Sequence, residues 1–129
     1  MGRTSRPKPT DAELAILQVL WKEGHCTVRA VHEVVARRSA TGYTTTLKLM
    51  QIMVEKGLVT RDESSRTHVY RARANRARTQ RQMVGNLVER AFEGSAKSLI
   101  MQALSARKTS AAELAEIREV LDSLQGGSQ

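Results

Sequence analysis

Residues Gly42 to Val59 read GYTTTLKLMQIMVEKGLV, and the interpretation of this stretch decides the fold. Thr46, Leu49, Met50 and Met53 recur at i, i+3, i+4 and i+7, one inward stripe of an amphipathic helix running from Tyr43 to Lys56 and stopped by Gly57. The opposite flank carries Thr44, Thr45, Lys48, Gln51 and Glu55. Short hydroxyls let a backbone approach another surface closely, donate and accept hydrogen bonds, and offer a methyl to thymine. Gln51 can pair with adenine through two hydrogen bonds, and Lys48 suits guanine or a phosphate. The same hydroxyls would cap the helix, and its first amides suit a phosphate oxygen. A plainer alternative is that the threonines only begin the helix. Leu47 and Ile52 fit neither flank and stay unassigned.

Upstream, PTDAELAILQVLWKEG opens with Thr10 and Glu13 in capping-box spacing, continues through Leu14, Leu17, Leu20 and Trp21 as core positions, and closes at Gly24. A second helix begins at CTVRAVHEVVARR, with Thr27 as N-cap, Val28, Val31, Val34 and Val35 inward, and Arg29, Glu33 and Arg37 outward. Downstream, Leu58 to Arg61 and Thr67 to Ala72 are β-prone pieces around the polar turn DESSR. They predict a hairpin in which Arg61 and Arg66 flank the turn, where each can reach a phosphate or minor groove or stay solvated. Three helices and a two-stranded wing make a winged helix-turn-helix domain. In that arrangement the second of the paired helices enters the major groove, its N-terminal residues nearest the bases.

Three more helices are predicted: Asn75 to Glu93 with Gly94 as stop, SAKSLIMQALSARK, and TSAAELAEIREVLDSL with Ser110 and Glu113 in a second capping box. A segment of about 50 residues is too small to bury their apolar faces alone, so a partner chain is expected. Leu114, Ile117, Leu121 and Leu124 form the seam, with Val120 beside it, and further apolar faces lie across Met83 to Phe92, including Leu87, and across Leu99 to Leu104. The competing possibility is that these helices fold back on the same chain. The expected fold class is mainly α with a small β-hairpin. A basic disordered tail (1–9) precedes a winged helix-turn-helix domain (10–74), a helical dimerisation domain (75–125) and a flexible tail (126–129).

Charge supports this division. Residues 1–82 hold 16 Lys and Arg against 7 Asp and Glu, whereas residues 83–129 hold 5 against 6. The first part should face a polyanion; the second is neutral enough for two copies to approach. No long apolar run and no apolar leader in MGRTSRPKP occur, so neither membrane insertion nor export is expected, and a cytoplasmic location is. Cys26 is the only cysteine, so no internal disulfide forms; its role is unassigned. His25, Cys26 and His32 are too bunched at a helix start to make a tetrahedral site, and no metal or cofactor is expected.

With these residues placed, the chain resembles the penicillinase repressor family of BlaI/MecI/CopY type from about Thr10 to Leu124. The resemblance rests on ELAILQVLW, TVRAVHE, YTTTLKLMQIMVEKGLV, FEGSAKSLIMQAL and LAEIREVL in that order. It implies a homodimeric winged-helix repressor on a pseudo-palindromic operator, often with TACA/TGTA-like half-sites. The DNA-reading positions it implies are Tyr43, Thr44, Thr45, Lys48 and Gln51, with Arg66 in the wing. Members that respond to β-lactams are cut in the C-terminal domain after a membrane sensor-protease is triggered. The matching bond is Gln102–Ala103, where cleaved members commonly carry Asn-Phe. Copper-responsive members end in paired CxC motifs, which this chain lacks.

No Ser/His/Asp set, phosphate loop or paired buried carboxylates can be assembled, so an enzyme is not expected. Two alternatives stay open. One is a winged-helix adaptor for protein partners, distinguishable because DNA binding falls steeply with salt and an apolar contact does not. The other is a regulator controlled directly by a small ligand.

Overall fold

The computed structural model describes residues 8–127. Its elements run α1 (Asp11–Glu23), α2 (Val28–Val35), α3 (Tyr43–Lys56), β1 (Val59–Asp62), β2 (Val69–Ala72), α4 (Arg76–Ala91), α5 (Ala96–Ala106) and α6 (Ala111–Gly127). Of the two expected tails, residues 1–7 and 128–129 lie outside the described residues. Pro9 is buried and Gly126 is helical, so both tails begin or end differently from expectation. Two compact units are present, one ending at Met83 and the other beginning at Val84. That division falls within α4 rather than at residues 74 and 75, because Ala74 and Thr79 are buried in the first unit.

In the first unit, local chemistry starts each helix. Thr10 Oγ1 accepts from Glu13 N–H and Glu13 accepts from Thr10 N–H, which completes the capping box of α1. Thr27 accepts from Ala30 N–H at the start of α2. Gly57 ends α3 at φ 80°, a left-handed conformation that a side chain would strain. The apolar stripes then meet: Ile16, Leu17 and Leu20 of α1, Val31 of α2, Met50 and Met53 of α3, and Leu58, Val59 and Tyr70 of the wing are all buried. Each such side chain contributes about 1.5–3 kcal/mol of apolar burial.

Three details correct the sequence reading. Leu14 is half-buried, and Ile16 and Val19 take the core-facing positions of α1. Trp21 packs at the margin of the core: it is half-buried, with its indole Nε1–H donating to Ala74 O at 2.8 Å. The strands are shifted toward residues 59–62 and 69–72, because Leu58 O accepts from the Arg73 and Ala74 amides and so lies at the mouth of the hairpin.

The wing is antiparallel, with Val59 opposite Ala72 and Asp62 opposite Val69. Its free side is taken by Cys26, whose N–H and C=O both bond to Tyr70 at 2.9 and 2.8 Å. A hairpin alone is marginal in water, and this third segment ties it to the link between α1 and α2. Burial, with Glu23 nearby, pushes the Cys26 thiol above its usual pKa.

In the second unit, Ser95 caps α5 by accepting from Ser98 N–H, and Ser110 accepts from Glu113 N–H at the start of α6. The turn after α4 places Glu93 and Gly94 at φ 51° and 81°. No described residue of this unit is buried. Val84, Leu87, Ile100, Met101, Leu104, Val120, Leu121 and Leu124 are exposed. Among the described residues no helix is long and apolar enough to cross a membrane.

Candidate nucleic-acid interface

α3 is anchored at both ends and open along one flank. At its C-terminal end, Lys56 Nζ reaches the Glu13 carboxylate of α1 at 2.8 and 3.0 Å. Glu13 is only 2% exposed. Burial by itself would raise its pKa, but the Lys56 ammonium and the Thr10 contacts outweigh it and hold the carboxyl below its ordinary value. The sequence identified Glu13 as a cap residue and missed this second role, since its partner lies 43 residues away.

The inward stripe is as the spacing dictates: Thr46, Met50 and Met53 are buried and Leu49 is half-buried. Leu47, left unassigned by sequence, is half-buried against the core, and Ile52 is half-buried as well. Tyr43, Thr44, Thr45, Lys48 and Gln51 all lie exposed on the remaining flank. The hydroxyls do not cap the helix: Gly42 is the N-cap and supplies no side-chain hydrogen bond. The first amides of α3 therefore lack an intrahelical partner, and the positive end of the helix dipole coincides with the hydroxyl-bearing turn.

The two wing arginines are placed differently. Arg61 stands opposite Tyr70 in the ladder, hence on the same face of the sheet, and is only partly exposed. Its Nε donates to Glu63 Oε2 at 2.6 Å, and the neighbouring Tyr70 first and Glu63 second raise its pKa. Arg66 is exposed in the turn. That turn is shaped by Asp62 accepting from Ser64 N–H and by the Ser65 hydroxyl donating to Thr67 O.

Behind α3, a cleft of about 670 Å³ opens between α1 and the end of α2. Ile16, Val19, Val34 and Leu49 line it together with Lys22, Glu23, Arg37 and Arg38.

Of the residues expected at the dimer contact, Leu87, Leu121 and Leu124 are exposed, the last by 67%, while Met83, Leu99, Leu114 and Ile117 are half-buried. Val84, Ile100, Met101 and Leu104, which lie within the further apolar faces expected beside the seam, also expose apolar surface. Gln102 and Ala103 lie exposed within α5.

Three packed helices followed by a pinned two-stranded wing make a winged helix-turn-helix domain. The chain belongs to the penicillinase repressor family, whose model matches residues 9–123. Among solved structures, the DNA-binding domain of the repressor BlaI superposes with a TM-score of 0.51 at 21% identity, covering 58% of this chain and 92% of that one. A mutant of MarR from E. coli, complexed with operator DNA, superposes with a TM-score of 0.51 at 18% identity, covering 90% of this chain and 75% of that one. At these identities both likenesses concern the fold. No curated protein sequence matches the chain.

Proposed function

We propose that the chain represses transcription as a homodimer that reads the two halves of a pseudo-palindromic operator, one α3 in each major groove. The observation that carries this reading is the asymmetry of α3, which buries Thr46, Met50 and Met53 on one flank and leaves Thr44, Thr45, Lys48 and Gln51 exposed on the other. Tyr43 borders that flank at the first helical position, and Arg66 extends it to the adjacent backbone or minor groove. Arg61 would have to exchange Glu63 for a phosphate, so its contribution is smaller.

The second unit supports the dimer, because apolar side chains left exposed on every one of its helices need a partner to cover them. Joining two half-site readers raises affinity through effective concentration, with no new contact to DNA. Repression is then relieved by loosening that contact. A cut at Gln102–Ala103 by a membrane sensor-protease would sever α5 and detach α6 from the DNA-binding half. Truncation after Gln82 tests this: the fragment should stay folded and bind operator far more weakly than the full chain. Undiminished affinity would reject the dimer mechanism.

One observation favours a second route of control. The cleft behind α3 has the size of a small-molecule site and joins apolar side chains to Lys22, Arg37, Arg38 and Arg76 against the single acid Glu23, which suits an amphipathic anion reaching Thr46 and Leu49. Titration with a medium-chain fatty acid should change Trp21 fluorescence and operator affinity together; no change in either removes this route.

A further inference from the structure

Tyr43 is held by two side chains of α2. The residue is 39% exposed at the first position of α3, yet the Arg29 guanidinium carbon lies 5.2 Å from its ring centroid. The His32 imidazole meets it edge-on, with centroids 5.7 Å apart and planes at 82°. His32 is fixed in turn: its Nδ1 is 3.2 Å from the Thr46 hydroxyl, which is fully buried and donates to Gly42 O at 3.4 Å. The tautomer of the imidazole decides which of His32 Nδ1 and Thr46 Oγ1 donates in this bond. A continuous chain of contacts thus runs from a buried threonine to an exposed tyrosine.

We propose that Arg29 and His32 are positioning residues that fix Tyr43 in one orientation at the leading edge of α3, so that DNA specificity depends on two α2 side chains that touch no base. An exposed aromatic ring loses rotamer freedom when it is clamped against DNA, and a ring already held loses less. Arg29 also presents its charge to the ring face, an attraction that phenylalanine would retain and alanine would not. The inference rests on the proposed reading role of Tyr43, and its test separates the two.

The experiment measures affinity for a selected operator and for an unrelated duplex at matched salt, using the full chain. The variants are Arg29→Gln, His32→Gln, Tyr43→Phe, Tyr43→Ala and the combinations of Arg29→Gln with each Tyr43 variant. Arg29→Gln should lower the operator-over-unrelated ratio about two- to fivefold where the ring is present, in wild type and Tyr43→Phe, and leave it unchanged in Tyr43→Ala. Affinity for unrelated DNA, which senses charge alone, should shift equally in all three backgrounds. His32→Gln retains both a donor and an acceptor for Thr46 but loses the aromatic edge, and should also lower the ratio; should it fail to fold, the Arg29 cycle decides. If Arg29→Gln costs the same in Tyr43→Ala, Arg29 contacts DNA itself and the positioning inference falls while the reading of Tyr43 stands. If Tyr43→Ala keeps the full ratio, Tyr43 does not read DNA and both ideas fall.

Discussion

Replacing Lys56 with Met keeps the apolar stem and removes the ammonium that faces Glu13. Breaking a fully buried pair by removing one partner costs about 3–5 kcal/mol, whereas an exposed pair contributes about 0.2–1 kcal/mol. Glu13 is 2% exposed and the Lys56 side chain 28%, so this pair falls between the two cases, at about 2 kcal/mol after discounting for solvent at the lysine. Trp21 is the only tryptophan and bonds to Ala74, so its fluorescence reports unfolding of the first unit alone. With a urea slope of about 2 kcal/mol per molar, the midpoint should fall by about 1 M at neutral pH. The sign with pH is fixed by the depressed Glu13 pKa: its contribution is present above the ordinary carboxylate range and is lost as pH falls through that range and below. In Lys56→Met the carboxyl keeps its burial and loses its cation, so it takes up a proton earlier. The gap between wild type and variant should therefore narrow on acidification. An unchanged midpoint at neutral pH, or a gap that widens in acid, would refute the reasoning.

Other outcomes follow from the same geometry. Leu121→Asp with Leu124→Asp should convert a dimer to a monomer in sedimentation velocity and leave the Trp21 unfolding midpoint unchanged, since both side chains are exposed in the second unit. Arg66→Ala should weaken operator binding and lower the log–log salt slope by about 0.9, the share of one phosphate contact. Arg61→Ala should affect binding less, because that side chain is engaged with Glu63 and Tyr70. Met53→Ala, at a fully buried position of α3, should cost about 2–5 kcal/mol of stability in urea unfolding followed at Trp21.

Much of the first unit was legible in the sequence because its signals are local. Thr10 with Glu13, Thr27 and Gly57 set helix ends through contacts within a few residues, and the stripe Thr46, Met50, Met53 follows from helical period alone. What escaped depends on distant partners. The Glu13–Lys56 pair, the Trp21–Ala74 bond and the Cys26–Tyr70 bridge join residues more than forty positions apart, and no pattern in the chain announces them. Tyr43 was named through family resemblance, whereas its clamp by Arg29 and His32 exists only once α2 packs on α3. In the second unit the spacing of leucines marks apolar positions along the helices. It could not separate Leu114 and Ile117, half-buried in their own unit, from Leu121 and Leu124, which stay exposed.

The most direct measurement is selection of bound duplexes from random DNA by the wild-type chain and by a variant with Thr44, Thr45, Lys48 and Gln51 all changed to Ala. Wild type should enrich two half-sites related by a dyad. The variant, with its inward stripe untouched, should remain a folded dimer that binds DNA in a salt-dependent manner without sequence preference. Enrichment of the same half-sites by the variant would contradict the assignment of the exposed flank of α3 as the reading surface.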